Sequence, residues 1–171
     1  MIDTSEIIRQ MTANAEAMRT LVQTVSSGQA QWKPTPETWC LKEVMEHIYN
    51  EERIDFRKHL KEIFSKPPQP WAEFNPEEYL PVNNLRQALE GFLTEREASI
   101  TWIKAQPSPN WEAASPTSFS PDGEVLVLKA GDLLVSWVAH DYLHLRQLNE
   151  LLYAWNEKQA SRYSVRYAGG W

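Results

Sequence analysis

His140 and His144 stand four residues apart in the stretch His140-Asp141-Tyr142-Leu143-His144. Around them Leu133, Trp137, Leu148, Leu151 and Trp155 recur at helical spacings, which predicts an amphipathic helix carrying both imidazoles on its buried stripe. Residues four apart on a helix are about 5–6 Å apart at Cβ, close enough for two rings to bind one metal ion. Burying both rings without partners would cost about 1–3 kcal/mol each, which puts a shared ion on a par with two core histidines hydrogen-bonded to carbonyls. Two ligands seldom suffice, so the rest of the chain must supply a third.

The chain has four histidines. His47 lies on the apolar side of a second predicted helix and joins the pair if helices two and four face each other. His59 is twelve residues further along that helix, about 18 Å by the standard rise, so it cannot reach the same ion and is read as a surface or structural residue. Three neutral imidazoles leave coordination positions open, the pattern of catalytic rather than closed structural sites. Such an ion polarises a substrate or lowers the pKa of bound water or thiol. Imidazole suits Zn, Ni, Cu and Fe alike, so these ligands do not name the metal.

Glu51, four after His47, and Gln147, three after His144, share the faces of those histidines and could be further ligands or orienters. Cys40, one heptad before His47, reads as a helix-cap residue. A zinc protease is not indicated: Asp141 replaces the glutamate of H-E-x-x-H, and no further histidine follows at the required spacing. No catalytic acid or base is identifiable.

Four helices must position these residues. Asp3-Thr4-Ser5-Glu6 reads as a capping box ahead of a first helix through Ile7, Ile8, Met11, Met18, Leu21, Val22 and Val25, ended by Ser27-Gly28. An aromatic connection with Trp32 and Trp39 follows, expected to cover one end of the fold. The second helix starts at Cys40 or Leu41 and runs through Val44, Ile48, Leu60 and Ile63. Pro67, Pro68, Pro70, Pro76 and Pro81 exclude regular helix from about 65 to 82. Extended chain of that length spans a bundle, so helix three can run parallel to helix two. Asn83 or Asn84 caps the third helix, which fades near Gln106-Pro107. Ser120-Pro121-Asp122-Gly123 and the strand-like Val125-Leu126-Val127-Leu128 predict a small hairpin. Gly131-Asp132 opens the fourth helix, which reaches 156–159. The tail, Arg162 to Trp171, is expected to dock, so that Trp32, Trp39, Tyr163, Tyr167 and Trp171 could wall an aromatic pocket. The fold class predicted is all-α: a four-helix bundle with a long crossover between helices two and three.

At 171 residues, 42% hydrophobic and 23% charged with eight tryptophans, the chain is read as one globular domain spanning 1–171. A net charge of −6 with 17 scattered Lys and Arg argues against nucleic acid as a partner. No apolar run long enough for a membrane span occurs, and Met1-Ile2-Asp3-Thr4 does not resemble an export signal. With its single cysteine, Cys40, the chain fits a reducing, cytoplasmic setting.

The segment Trp39-Cys40-Leu41-Lys42-Glu43-Val44-Met45-Glu46-His47 resembles W-S-x-x-E-x-x-x-H, and His140 to Gln147 resembles H-x-x-x-H-x-x-Q, the two motifs of the DinB-like superfamily. That resemblance implies a four-helix bundle, a divalent ion (Zn, Ni, Fe or Mn) on His47, His140 and His144, a small-molecule substrate, and often a homodimer. It also implies thiol-dependent transferase or isomerase chemistry with a low-molecular-weight thiol such as bacillithiol, mycothiol or glutathione. The leading expectation is a metal-dependent thiol S-transferase. The rivals are a non-catalytic metal-binding protein of damage or stress response, and a metal-dependent hydrolase.

Overall fold

The computed structural model describes residues 2–71, 75–116, 118–119 and 125–169. Helix α1 spans Thr4–Val22, its N-terminus capped by the Asp3 carboxylate, which accepts from the amides of Ser5 (3.0 Å) and Glu6 (3.1 Å). Glu6 does not complete a capping box, because its carboxylate is engaged by Arg9 and Gln10. The expected stop at Ser27-Gly28 is instead the start of a short helix α2, Ser27–Gln31, capped by Ser26.

The second long helix is continuous but not uniform. It comprises α3 (Leu41–Glu51), a π-helical turn (Glu52–Phe56) and α4 (Arg57–Phe64). Ile48, Glu52, Phe56 and Leu60 are all buried and follow one another at four-residue steps. Each such step overshoots a turn of 3.6 residues by about 40°, so the run would spiral off the core of a plain α-helix. The wide turn absorbs the excess. It also keeps His47, Glu51, Asp55 and His59 in a second ladder at the same spacing.

The crossover from Ser65 leads through a 3₁₀ turn at Pro76–Glu78 to helix α5, Leu85–Lys104, capped by Asn84. Within it Ala72–Phe74 lie outside the described residues. Gly91 permits close approach to α3, since a Cβ there would lie 2.9 Å from Tyr49 Cε2. The small hairpin is present as a two-residue ladder, Ser118–Phe119 (β1) against Val125–Leu126 (β2), antiparallel. Its predicted turn lies outside the described residues. Helix α6, Ala130–Ala160, follows, with Asp132 accepting from the Lys129 amide at 3.0 Å.

The core is divided in two. One apolar cluster joins Met18 and Val22 of α1, Val44 to Ile48 of α3, Leu85 to Phe92 of α5, and Leu148 and Leu151 of α6. The other joins Ile7 and Met11, Phe56 to Ile63, Ile103, and Leu133 to Val138. Early residues of α3 thus meet early residues of α5 and late residues of α6. The second and third long helices run parallel, as the crossover predicted, and α6 runs antiparallel to both. Between the two clusters, at the same level in all four long helices, stands a buried polar layer of Asn14, Glu52, Arg96 and Asp141.

Candidate metal centre

The three sequence-predicted histidines meet beside that layer. His47 comes from α3, and His140 and His144 come from α6. His140 Nε2 lies 3.2 Å from His47 Nε2 and 3.0 Å from His144 Nε2. The ligand atoms of all three residues lie within 4.8 Å of one another. Two nitrogens bound to one ion at about 2.1 Å are about 3.0–3.4 Å apart for angles of about 90–110°, so the spacing fits a shared ion. Protons alone serve the cluster poorly. Gln147 Oε1 can only accept, so His144 Nδ1 donates to it (2.9 Å) and a neutral ring presents Nε2 as a lone pair. His140 Nε2 faces two neighbouring nitrogens, and a single N–H cannot satisfy both. A cation at the centre can.

Acidic and aromatic groups flank the cluster. Glu51 Oε1 lies 3.7 Å from His47 Nδ1. The ladder continues through Asp55 to His59, whose Nε2 is 3.1 Å from Asp55 and whose Nδ1 is 2.7 Å from Glu62. His59 stacks on Trp71, centroids 4.0 Å apart, and is therefore structural. Phe56 packs 5.2 Å from the His140 ring, and Trp39 lies 5.1 Å from the His47 ring. Cys40 is the buried N-cap of α3, where its amide donates to Glu43 (2.9 Å), and burial pushes its thiol up. It is not a poised nucleophile.

Burial, reinforced by the neighbouring rings, pushes His47 down to about 4 and His140 to about 3. His144 is also lowered by burial, with Gln147 opposing. Burial and a hydrogen bond with Asp55 push Glu51 up to about 8. Burial alone would raise Asp55, but hydrogen bonds with His59 and Glu51 hold it below the usual range. In the metal-free chain the unfolded histidines take up protons near pH 6.5 while the folded ones do not, so stability should fall as pH drops from about 6.5 towards 4. Glu51 and His59, both pushed up by their surroundings, act in the opposite sense, and below about pH 6.5 the three depressed histidines outnumber them. Urea unfolding of apo protein at pH 5 and pH 7 should show this, and His140→Ala should flatten the slope by about one proton, roughly 1.4 kcal/mol per pH unit. An unchanged slope would mean that His140 titrates normally.

The profile of the DinB superfamily matches residues 10–148. The chain belongs to the DinB superfamily. Among solved structures, YfiT from Bacillus subtilis, described as a probable metal-dependent hydrolase with an unusual four-helix bundle topology, is similar to this DinB-superfamily chain with a TM-score of 0.66. Identity is 12%, and the match covers 88% of each chain, which supports the bundle fold. Comparison with curated proteins finds no match.

In this DinB-superfamily chain an open cleft of about 610 Å³ reaches the cluster at His144 and is lined also by Pro34, Thr38, Trp39, Gln147 and Glu150. The aromatic wall expected from the sequence is only partly assembled. Trp39 borders the cleft, whereas Trp32 packs edge-on against Trp155 at 5.4 Å. The tail does not dock as expected: Tyr163 is 71% exposed and Tyr167 fully exposed, while Trp171 lies outside the described residues. Few of its residues find apolar surface to cover. Sequence reasoning also missed Asp55, Glu52 and Arg96. The available signal was position: Glu52 and Arg96 interrupt apolar stripes where a hydrophobic residue is the rule. Among the described residues no helix is long and apolar enough to cross a membrane.

Proposed function

We propose that this DinB-superfamily chain is a divalent-metal-dependent enzyme of thiol S-transferase type, with His47, His140 and His144 holding the ion through Nε2. The observation that carries the metal is the convergence of the three Nε2 atoms at 3.0 and 3.2 Å beside an open cleft. A bound ion would supply Lewis-acid activation of a small thiol at neutral pH. The chain's own groups bind and orient: Gln147 fixes the His144 tautomer, Glu51 faces the far nitrogen of His47, and Trp39 offers an indole face to an electrophilic substrate. The thiol assignment rests on the family motifs.

A metal-dependent hydrolase is the second reading, favoured by the likeness in fold to YfiT, described as a probable metal-dependent hydrolase. Three histidines leave coordination positions open, so the same ion would lower the pKa of a bound water in place of a thiol. The deciding assay is zinc- or nickel-reconstituted protein with low-molecular-weight thiols against haloarene and epoxide electrophiles, run beside an ester panel without thiol. Turnover dependent on both metal and thiol supports transfer. Thiol-independent ester cleavage supports the hydrolase, and inactivity in both leaves metal binding as the function. Trp39→Ala should raise KM for an aromatic substrate about tenfold, the worth of one aromatic contact of about 1–1.5 kcal/mol, with metal content unchanged. Loss of metal instead would make Trp39 a support of His47.

A further inference from the structure

The polar layer between the two apolar clusters is unusually complete. Arg96 donates through Nε to Glu52 Oε1 (2.9 Å) and through Nη2 to Glu52 Oε2 (2.8 Å). The same guanidinium donates to both oxygens of Asp141, at 2.6 and 2.7 Å, and to the Met11 carbonyl at 3.3 Å. Trp137 Nε1 adds a donor to Glu52 (2.8 Å), and Asn14 adds one to Asp141 (3.2 Å). Every carboxylate oxygen is satisfied, and all three charged residues are at most 2% exposed. All four long helices contribute.

We propose that Glu52, Arg96 and Asp141 are positioning residues for the three-histidine cluster, fixing the rotation of the second and fourth long helices about their axes. The inference rests on the metal reading above. Buried ion groups of this kind are poor stabilisers, since desolvation offsets their attraction and apolar replacements of equal volume are often as stable. What they supply is directional constraint. Asp141 follows His140 directly, so the fork on Asp141 sets the direction in which His140 leaves α6. Trp137, one turn earlier, is tied to Glu52, and its ring stacks on Phe56 at 5.3 Å, which in turn packs against the His140 ring. Glu52 stands at the start of the π-helical turn, one residue after Glu51 and five after His47. A stretch of a few residues thus connects the fork to ligand candidates on both helices.

The test uses Co(II) as the probe, read by its d–d absorption band and by competition with a chelator, on the full chain. Arg96→Lys keeps the charge but loses the planar fork. The triple variant Glu52→Gln, Arg96→Met, Asp141→Asn removes all three charges without stranding one, so it decides the matter if the lysine variant does not fold. The expected result is wild-type helical content with Co(II) affinity reduced about 10–100-fold, the range seen when supporting shells of metal sites are changed. The band should also change shape, which distinguishes altered ligand geometry from the lost charge of the triple variant. A folded variant with the wild-type band and affinity would overturn the proposal. If wild type binds no Co(II), the metal reading fails, and this inference with it; binding by wild type with indifferent variants removes this inference alone.

Discussion

His140→Ala should abolish stoichiometric metal binding. Its Nε2 is the nitrogen that approaches both others, so its loss leaves His47 and His144 without the shared vertex. Affinity should fall by more than about 100-fold, beyond what supporting residues contribute, and His47→Ala and His144→Ala should behave alike. Elemental analysis of untagged protein checks this directly. About one ion per wild-type chain is expected, and retention of that ion in any single variant would show that the triad is wrong. Chelation should leave the bundle folded, because each half of it has an apolar core independent of the histidines. The loss should be about 3 kcal/mol or less at moderate excess of metal, the stabilisation given by a ligand at about 100 times its Kd. Collapse on chelation would instead identify a structural ion and favour the non-catalytic rival.

Arg96→Ala should be among the most damaging single substitutions. It leaves Glu52 and Asp141 buried side by side without their cation, at a cost of about 3–5 kcal/mol. For a chain of this size each kcal/mol shifts Tm by about 2–4 °C, so a fall of about 6–20 °C is expected. Thermal unfolding at pH 7 measures the effect. A Tm within 2 °C of wild type would mean that water reaches the layer and that it is not a closed network.

The long helices and the histidine pair were legible because their signals are local. Periodicity over α1, α5 and α6 marks a buried stripe, and an i, i+4 pair within the stripe puts both rings on one face whatever the tertiary fold. The prolines of the crossover likewise act on their own backbone, which is why the parallel course of α3–α4 and α5 could be anticipated. The contribution of His47 required knowing which helices face each other, and the family motif supplied what spacing alone does not force. The polar layer was not anticipated, since Arg96 on an apolar stripe signals a partner without saying that the partners are Glu52 and Asp141, 44 and 45 residues away. The tail shows the reverse failure. Aromatic content reports appetite for burial, but docking also needs a complementary surface, and Tyr163 and Tyr167 stay exposed.

The π-helical turn makes the second long helix one residue richer than its hydrogen bonding requires. A deletion inside Glu52–Phe56 would let the helix close as ordinary α, with no bond necessarily lost. The four residues left, at about 100° each, would cover roughly the rotation that five cover in the wide turn, so Leu60 and Ile63 would stay in their core and His47 on its face toward α6. The surplus residue therefore leaves the two halves of the helix in phase and adds one side chain between them, in the stretch that holds Glu52 and Asp55.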